Sequence, residues 1–73
     1  MDIVVGGKYR HYKGNEYVVV GLATHSETEE EMVVYKALYG EGKLWVRPLS
    51  MWNEKVKVNG MEVLRFTYTD DEV

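Results

Sequence analysis

Apolar and polar positions alternate along this chain with a period near two, in short runs broken by glycine, which is a strand pattern. Lys8 to Tyr12 alternates, and Lys13-Gly14-Asn15 follows as a turn in which Gly14 or Asn15 takes a positive φ. Glu16 to His25 is a long β-rich segment around Tyr17-Val18-Val19-Val20. Both of its faces are apolar, which predicts a barrel strand that bends at Gly21 and passes from one half-sheet to the other. Ser26 and Glu29 have the spacing of a helix capping box, so one turn of helix is expected at most. The segment cannot run further as helix, because Met32-Val33-Val34-Tyr35 returns to β-branched and aromatic residues. Glu27 to Glu31 therefore reads as an acidic loop.

The next strand is expected over Glu31 to Tyr39, with Gly40-Glu41-Gly42 as a hairpin loop into Lys43 to Arg47. Pro48 ends that strand, since proline donates no ladder hydrogen bond. Leu49 to Asn53 reads as a short irregular or 3₁₀ connection. Lys55 to Val58, Asn59-Gly60 and Met61 to Tyr68 form the clearest hairpin, with Asn-Gly between two alternating runs. Five or six short strands must protect their edges, and closing the sheet does so. The expected fold is all-β: a small SH3-like barrel of five to six short antiparallel strands with one short 3₁₀ or helical turn. An OB-type barrel usually takes a longer chain and a real helix.

Charged residues then indicate which face of each strand meets water. Lys43 and Arg47 share a face with Trp45, so if these cations face solvent Trp45 does too, leaving Leu44 and Val46 on the other face. By the same reasoning Val56 and Val58 point inward, as do Leu64, Phe66 and Tyr68. Lys8, Arg10 and Tyr12 share one face of the first strand, opposite Tyr9 and His11.

Length confines these strands to one domain over residues 1–73, with a head at 1–6 and an acidic tail at 70–73. The head holds Ile3-Val4-Val5, which either adds a strand or covers the barrel mouth. A chain this short buries only about 60% of its unfolded surface, so its core is thin. With no cysteine there are no disulfides and no thiolate metal sites, which suits a reducing compartment. There is no secretory signal pattern and no apolar run of membrane-spanning length, so the expectation is a soluble cytoplasmic protein without a membrane partner. The net charge of −3 weighs against a general nucleic-acid binder. Its distribution matters more, because four acids lie within Glu27 to Glu31 and three in Asp70, Asp71 and Glu72, whereas most bases lie in strands.

Gly7-Lys8-Tyr9-Arg10-His11-Tyr12-Lys13-Gly14-Asn15 with Tyr17 resembles the opening of the bacterial family called domain of unknown function 1653. His25-Ser26-Glu27-Thr28, Val34-Tyr35, Leu38-Tyr39-Gly40, Trp45-Val46-Arg47-Pro48 and Met51 extend the resemblance over roughly Gly7 to Phe66. Two positions depart from the family pattern: Trp52 stands where phenylalanine is more usual, and Leu64 where proline precedes the final Arg-Phe. The resemblance implies a small cytoplasmic bacterial domain, and it carries no activity and no catalytic residue to transfer. It does place His11, Tyr12, His25, Tyr35, Trp45 and Arg47 in the signature, which makes them the candidate binding residues.

The chemistry in these residues favours binding over catalysis. His25-Ser26-Glu27 holds the residue types of a nucleophilic triad, but neighbours in an extended chain point to opposite faces, so a turn role for Ser26 with His25 closing the strand is the better reading. Two histidines without cysteine spacing make a poor metal site, and neither glycine pair has the spacing of a phosphate loop. No cofactor, no metal and no enzymatic activity are expected. Nine aromatic residues exceed what so small a barrel hides, which is compatible with a contact patch of Trp45 and Tyr12 among cations. The expected role is therefore a protein or peptide interaction module using an aromatic-basic outer face. The alternative is an accessory nucleic-acid or nucleotide binder, with Trp45 or Tyr12 stacking on a base and Lys8, Arg10, Lys43 and Arg47 near phosphates.

Overall fold

Residues with positive φ mark most of the turns. In the computed structural model, which describes residues 3–70, Asn59 and Gly60 have φ of 52° and 80°, the left-handed pair of a tight hairpin turn. That turn joins β5 (Lys55–Val58) to β6 (Met61–Leu64) with Val58 opposite Met61. Gly14, at φ 109°, makes the turn between β1 (Lys8–His11) and β2 (Glu16–Thr24). Gly40 and Gly42 make the one between β3 (Glu31–Ala37) and β4 (Leu44–Pro48). A single helical turn, α1 (Leu49–Trp52), links β4 to β5, and β7 (Phe66–Asp70) returns to pair with β1.

The all-β expectation holds, with a different strand count and pairing. Among the described residues seven strands form an antiparallel five-stranded sheet, ordered β4-β3-β2-β1-β7, and a separate β5-β6 hairpin. The ladders do not close into a ring: β4 and β7 are the two edges of the larger sheet. Met61 to Tyr68 is not one strand, because the chain leaves the hairpin at Arg65 and joins the main sheet at Phe66. Arg65 N–H donates to the Glu54 carbonyl and Tyr12 N–H to the Arg65 carbonyl, both at 2.9 Å, so this crossing residue is held from both sides. The bend falls one residue after Leu64, where the related family favours proline. Pro48 is the last residue of β4 and ends it, as expected. The head forms no strand among its described residues: Gly6 N–H donates to the Val19 carbonyl and Ile3 packs on the core. Met1, Asp2 and 71–73, including most of the acidic tail, lie outside the described residues.

Cross-strand register sorts the side chains. Tyr9 faces Tyr17, Val19 faces Tyr35, and His11 faces Phe66, all on the side that packs inward. The core is Tyr9, Val19, Val33, Tyr35, Trp52 and Phe66, with Ile3, Tyr17 and Leu49 against it. A bulge at Val20 keeps both halves of β2 in phase with β3, so the predicted irregularity falls one residue before Gly21.

The orientation expected for β4 is inverted. Trp45 pairs with Tyr35 and Arg47 with Val33, which puts both on the core side of the sheet. Leu44 and Val46 point to the open side and are 63% and 60% exposed. Trp45 is still 47% exposed, because it lies on an edge strand. Val58 is likewise exposed, and Tyr68, although it faces Tyr9 and meets its ring edge to face at 5.4 Å, remains partly open to solvent. The acidic loop differs as well: His25, not Ser26, caps the turn, its Nδ1 accepting from Glu27 and Thr28 N–H at 3.1 and 3.3 Å.

Two stability predictions follow from this packing. A methyl group at Gly7 would sit 2.9 Å from both the Val4 carbonyl oxygen and Tyr68 Cε1. Gly7→Ala is expected to destabilise the fold by about 1–3 kcal/mol in urea unfolding; an unchanged midpoint contradicts this packing. Trp52 is only 1% exposed, and its Nε1–H has no acceptor. Trp52→Phe loses volume but also removes an unsatisfied donor, so it is expected to cost less than about 1.5 kcal/mol, against about 3–5 kcal/mol for Trp52→Ala.

Candidate functional site

Phe66 opens β7 immediately after the Arg65 crossing, so backbone hydrogen bonds on either side fix where its ring lies. The ring stacks on Trp52 with centroids 3.8 Å apart and planes 2° from parallel. His11, Tyr17 and Tyr35 meet it edge to face at 5.0, 5.8 and 5.7 Å. Such pairs are worth about 0.5–1.5 kcal/mol each beyond area burial.

The Arg47 guanidinium stands 5.6 Å from the Phe66 ring centroid. Its Nε is buried without a hydrogen-bond partner, and no acid pairs with it among the described residues. Arg65 lies on the same side, its NH2 group 3.2 Å from a Glu54 carboxylate oxygen. His11 sits between these arginines and the β1–β2 turn. Its Nδ1 accepts from Lys13 N–H at 3.2 Å, and its ring lies 4.6 Å from that of Tyr12. Partial burial, then the charges of Arg65, Arg47 and Lys13, hold the His11 pKa below its ordinary 6.5. Cations thus converge on one side of the aromatic core, with Glu54 as the single acid bonded to them among the described residues.

Of the six candidate residues, His11, Tyr35 and Arg47 meet at Phe66, and Tyr12 joins through His11. Tyr35 is buried, so it supports the site from below rather than touching a ligand. Trp45 lies apart, in a shallow pocket of about 260 Å³ with Ala37, Tyr39, Gly40, Glu41 and Lys43. Nearby, the Tyr17 and Tyr39 hydroxyls share a 2.8 Å hydrogen bond, and burial together with Tyr39 pushes the Tyr17 phenol up to about 12. His25 lies at the far end of the nine-residue β2 and joins neither group. Lys8 and Arg10 face the opposite side of the sheet from Arg47, and Arg10 pairs with Glu16 at 3.0 Å. The basic and aromatic residues therefore do not form one continuous outer face. Among the described residues no group of three His, Asp or Glu side chains is placed to hold a metal ion.

Arg65 and Phe66 were not among the candidates. Their signal was the end of the resemblance, the Arg-Phe pair after Leu64, which periodicity alone assigns to the middle of a strand.

A family model described as a protein of unknown function, DUF1653, matches residues 7–68. The chain belongs to the DUF1653 family. A crystal structure of a DUF1653 protein from Bordetella bronchiseptica is similar to it with a TM-score of 0.82 and 42% identity, covering 92% of this chain and 87% of that one. No curated protein matches the chain. The DUF1653 match includes every residue around Phe66, together with Trp45 and His25.

Two measurements check this arrangement. Because His11 is held neutral in the fold, the unfolded chain binds more protons between the depressed pKa and 6.5. Its contribution to stability is therefore complete above about pH 6.5 and is lost as pH falls through the folded-state pKa. Urea unfolding of His11→Asn is expected to lack that part of the acid slope; an identical slope contradicts it. In acrylamide quenching, Trp45 emission is expected to be quenched readily and Trp52 emission hardly at all, as separated by Trp45→Phe. Equal quenching of both indoles contradicts their placement.

Proposed function

We propose that this chain is a non-enzymatic binding module that holds an acidic protein or peptide segment against the core-side rim formed by Arg47, Arg65, His11 and Tyr12, with Trp45 at its edge. The observation that carries this reading is Arg47: a guanidinium placed over Phe66, with a buried Nε lacking any partner and no acid of its own among the described residues. Gathering Arg47, Arg65, Lys13 and a partly buried histidine costs electrostatic energy, which an incoming carboxylate offsets through charge-assisted hydrogen bonds. Aromatic surface at Tyr12 and Trp45 supplies flat apolar contact beside those charges.

Catalysis finds less support. Both histidines already use Nδ1 to accept turn N–H groups, and among the described residues neither bonds to a serine hydroxyl or a carboxylate. The strand order β4-β3-β2-β1-β7, with a helical turn ahead of the returning strand, supports reading the fold as SH3-like, a scaffold that often presents aromatic grooves to peptides. A cytoplasmic setting fits a chain without cysteine, and no helix among the described residues is long and apolar enough to cross a membrane.

Selection from a random peptide library, repeated with Arg47→Ala, tests the reading. Enrichment of acidic sequences that bind wild type and lose about tenfold or more on Arg47→Ala is expected. No enrichment overturns it. Binding of single-stranded oligonucleotides, with affinity falling by about 0.7 log units per log unit of salt for each phosphate contacted, favours a nucleic-acid role instead.

A further inference from the structure

The outermost strand of the five-stranded sheet has one side without a ladder partner, and two observed hydrogen bonds fix which groups face that way. Ala37 N–H donates to the Lys43 carbonyl, and Leu38 N–H donates to the Glu16 carbonyl, both at 2.9 Å. Amide directions alternate along a strand, so Trp45 and Arg47 bond toward β3 while the main-chain groups of Leu44 and Val46 point outward from the free edge. Pro48 falls on the outward set, so its missing N–H costs the sheet nothing. The Pro48 carbonyl is taken up by the first turn of α1, so the result is a short, exposed edge of two outward donors and two free outward acceptors, those of Leu44 and Val46.

Side chains on this edge divide by face. Lys43, Trp45 and Arg47 lie on the core side, and Leu44 and Val46, the most exposed aliphatic residues of β4, lie on the open side. Neither Lys43 nor Arg47 has an acidic partner among the described residues. A strand whose residues alternate acidic and aliphatic matches both faces at once: its acids meet Lys43 and Arg47, and its aliphatic side chains meet Leu44 and Val46. Trp45 lies between the two cationic positions on its strand, and its pocket opens on the Lys43 side, toward Tyr39, Gly40 and Glu41 of the hairpin loop.

We infer that an extended acidic-aliphatic segment of another protein adds to β4 as a sixth strand, an inference that rests on the binding-module reading above. A second copy of this chain fits less well. Antiparallel pairing of two β4 strands centred on Trp45 sets Lys43 opposite Arg47 of the other copy, a repulsive pair. Centred on Val46, it sets Leu44 opposite Pro48 and leaves the Leu44 carbonyl without a donor.

The test uses the full chain and four capped heptapeptides: alternating Glu-Val, the same peptide N-methylated at every second residue in each of the two phases, and alternating Lys-Val. Binding is followed by amide hydrogen exchange and by ¹⁵N chemical shifts. The Glu-Val peptide is expected to bind and to slow exchange of the Leu44 and Val46 amides about tenfold or more. One of the two N-methylated phases is expected to bind about tenfold more weakly, since it loses its main-chain bonds. The Lys-Val peptide is expected not to bind. Glu-Val binding that leaves both amides unchanged, or that tolerates N-methylation in both phases, overturns strand addition while leaving the binding module standing. No Glu-Val binding, or protection of the two amides that rises with protein concentration alone, overturns strand addition as well. The peptide-library result decides separately whether the module reading survives.

Discussion

The Phe66 ring is the contact on which the rest of the molecule depends. It stacks on Trp52 from α1, meets His11 from β1, Tyr17 from β2 and Tyr35 from β3 edge to face, and lies under Arg47 from β4. One side chain thus touches every strand of the main sheet other than its own, along with the helical turn. A chain of this length has too few residues for a layered aliphatic core, and large flat rings bury more area for each position ordered. The thin core also brings its cations close. Arg47 and His11 are simultaneously core contacts and the groups nearest the proposed ligand, so the module's binding surface and its interior are separated by one layer of side chains.

That economy explains where sequence reasoning succeeded. Asn59-Gly60 was legible because two consecutive left-handed residues are almost dictated by that pair. The first strand, its Gly14 turn and the sharing of one face by Tyr9 and His11 were legible because alternation continues through the whole of β1. The family was legible from motifs spread along the whole chain, and four of the six signature residues proved to be neighbours around Phe66.

The failures have separate physical causes. The face of β4 was inferred by letting cations mark the solvent side, a rule that works for lysine more reliably than for arginine. A guanidinium is weakly hydrated and stacks on rings, so Arg47 lies on the core side over Phe66 and carries Trp45 with it. Leu44 and Val46 are consequently turned outward, against their hydrophobicity. The break at Arg65 was invisible because alternation continues through it; what ends β6 is a pair of long-range backbone bonds, to Glu54 and from Tyr12. His25 does close its strand, its N–H donating to the Glu30 carbonyl, but the cap expected of Ser26 comes from the imidazole Nδ1 of His25 itself, which reaches the same turn N–H groups.

The orientation of β4 is therefore the point on which both the rim and the exposed edge stand or fall. It is read most directly from a ¹³C-edited NOESY spectrum of the free protein. The expected result is cross-peaks from the Arg47 δ-protons to the Phe66 ring, with no cross-peak from the methyl groups of Leu44 or Val46 to Phe66 or Trp52. Methyl-to-ring cross-peaks from Leu44 and Val46, with Arg47 showing none, would mean that the strand faces the other way and that the cationic rim does not exist.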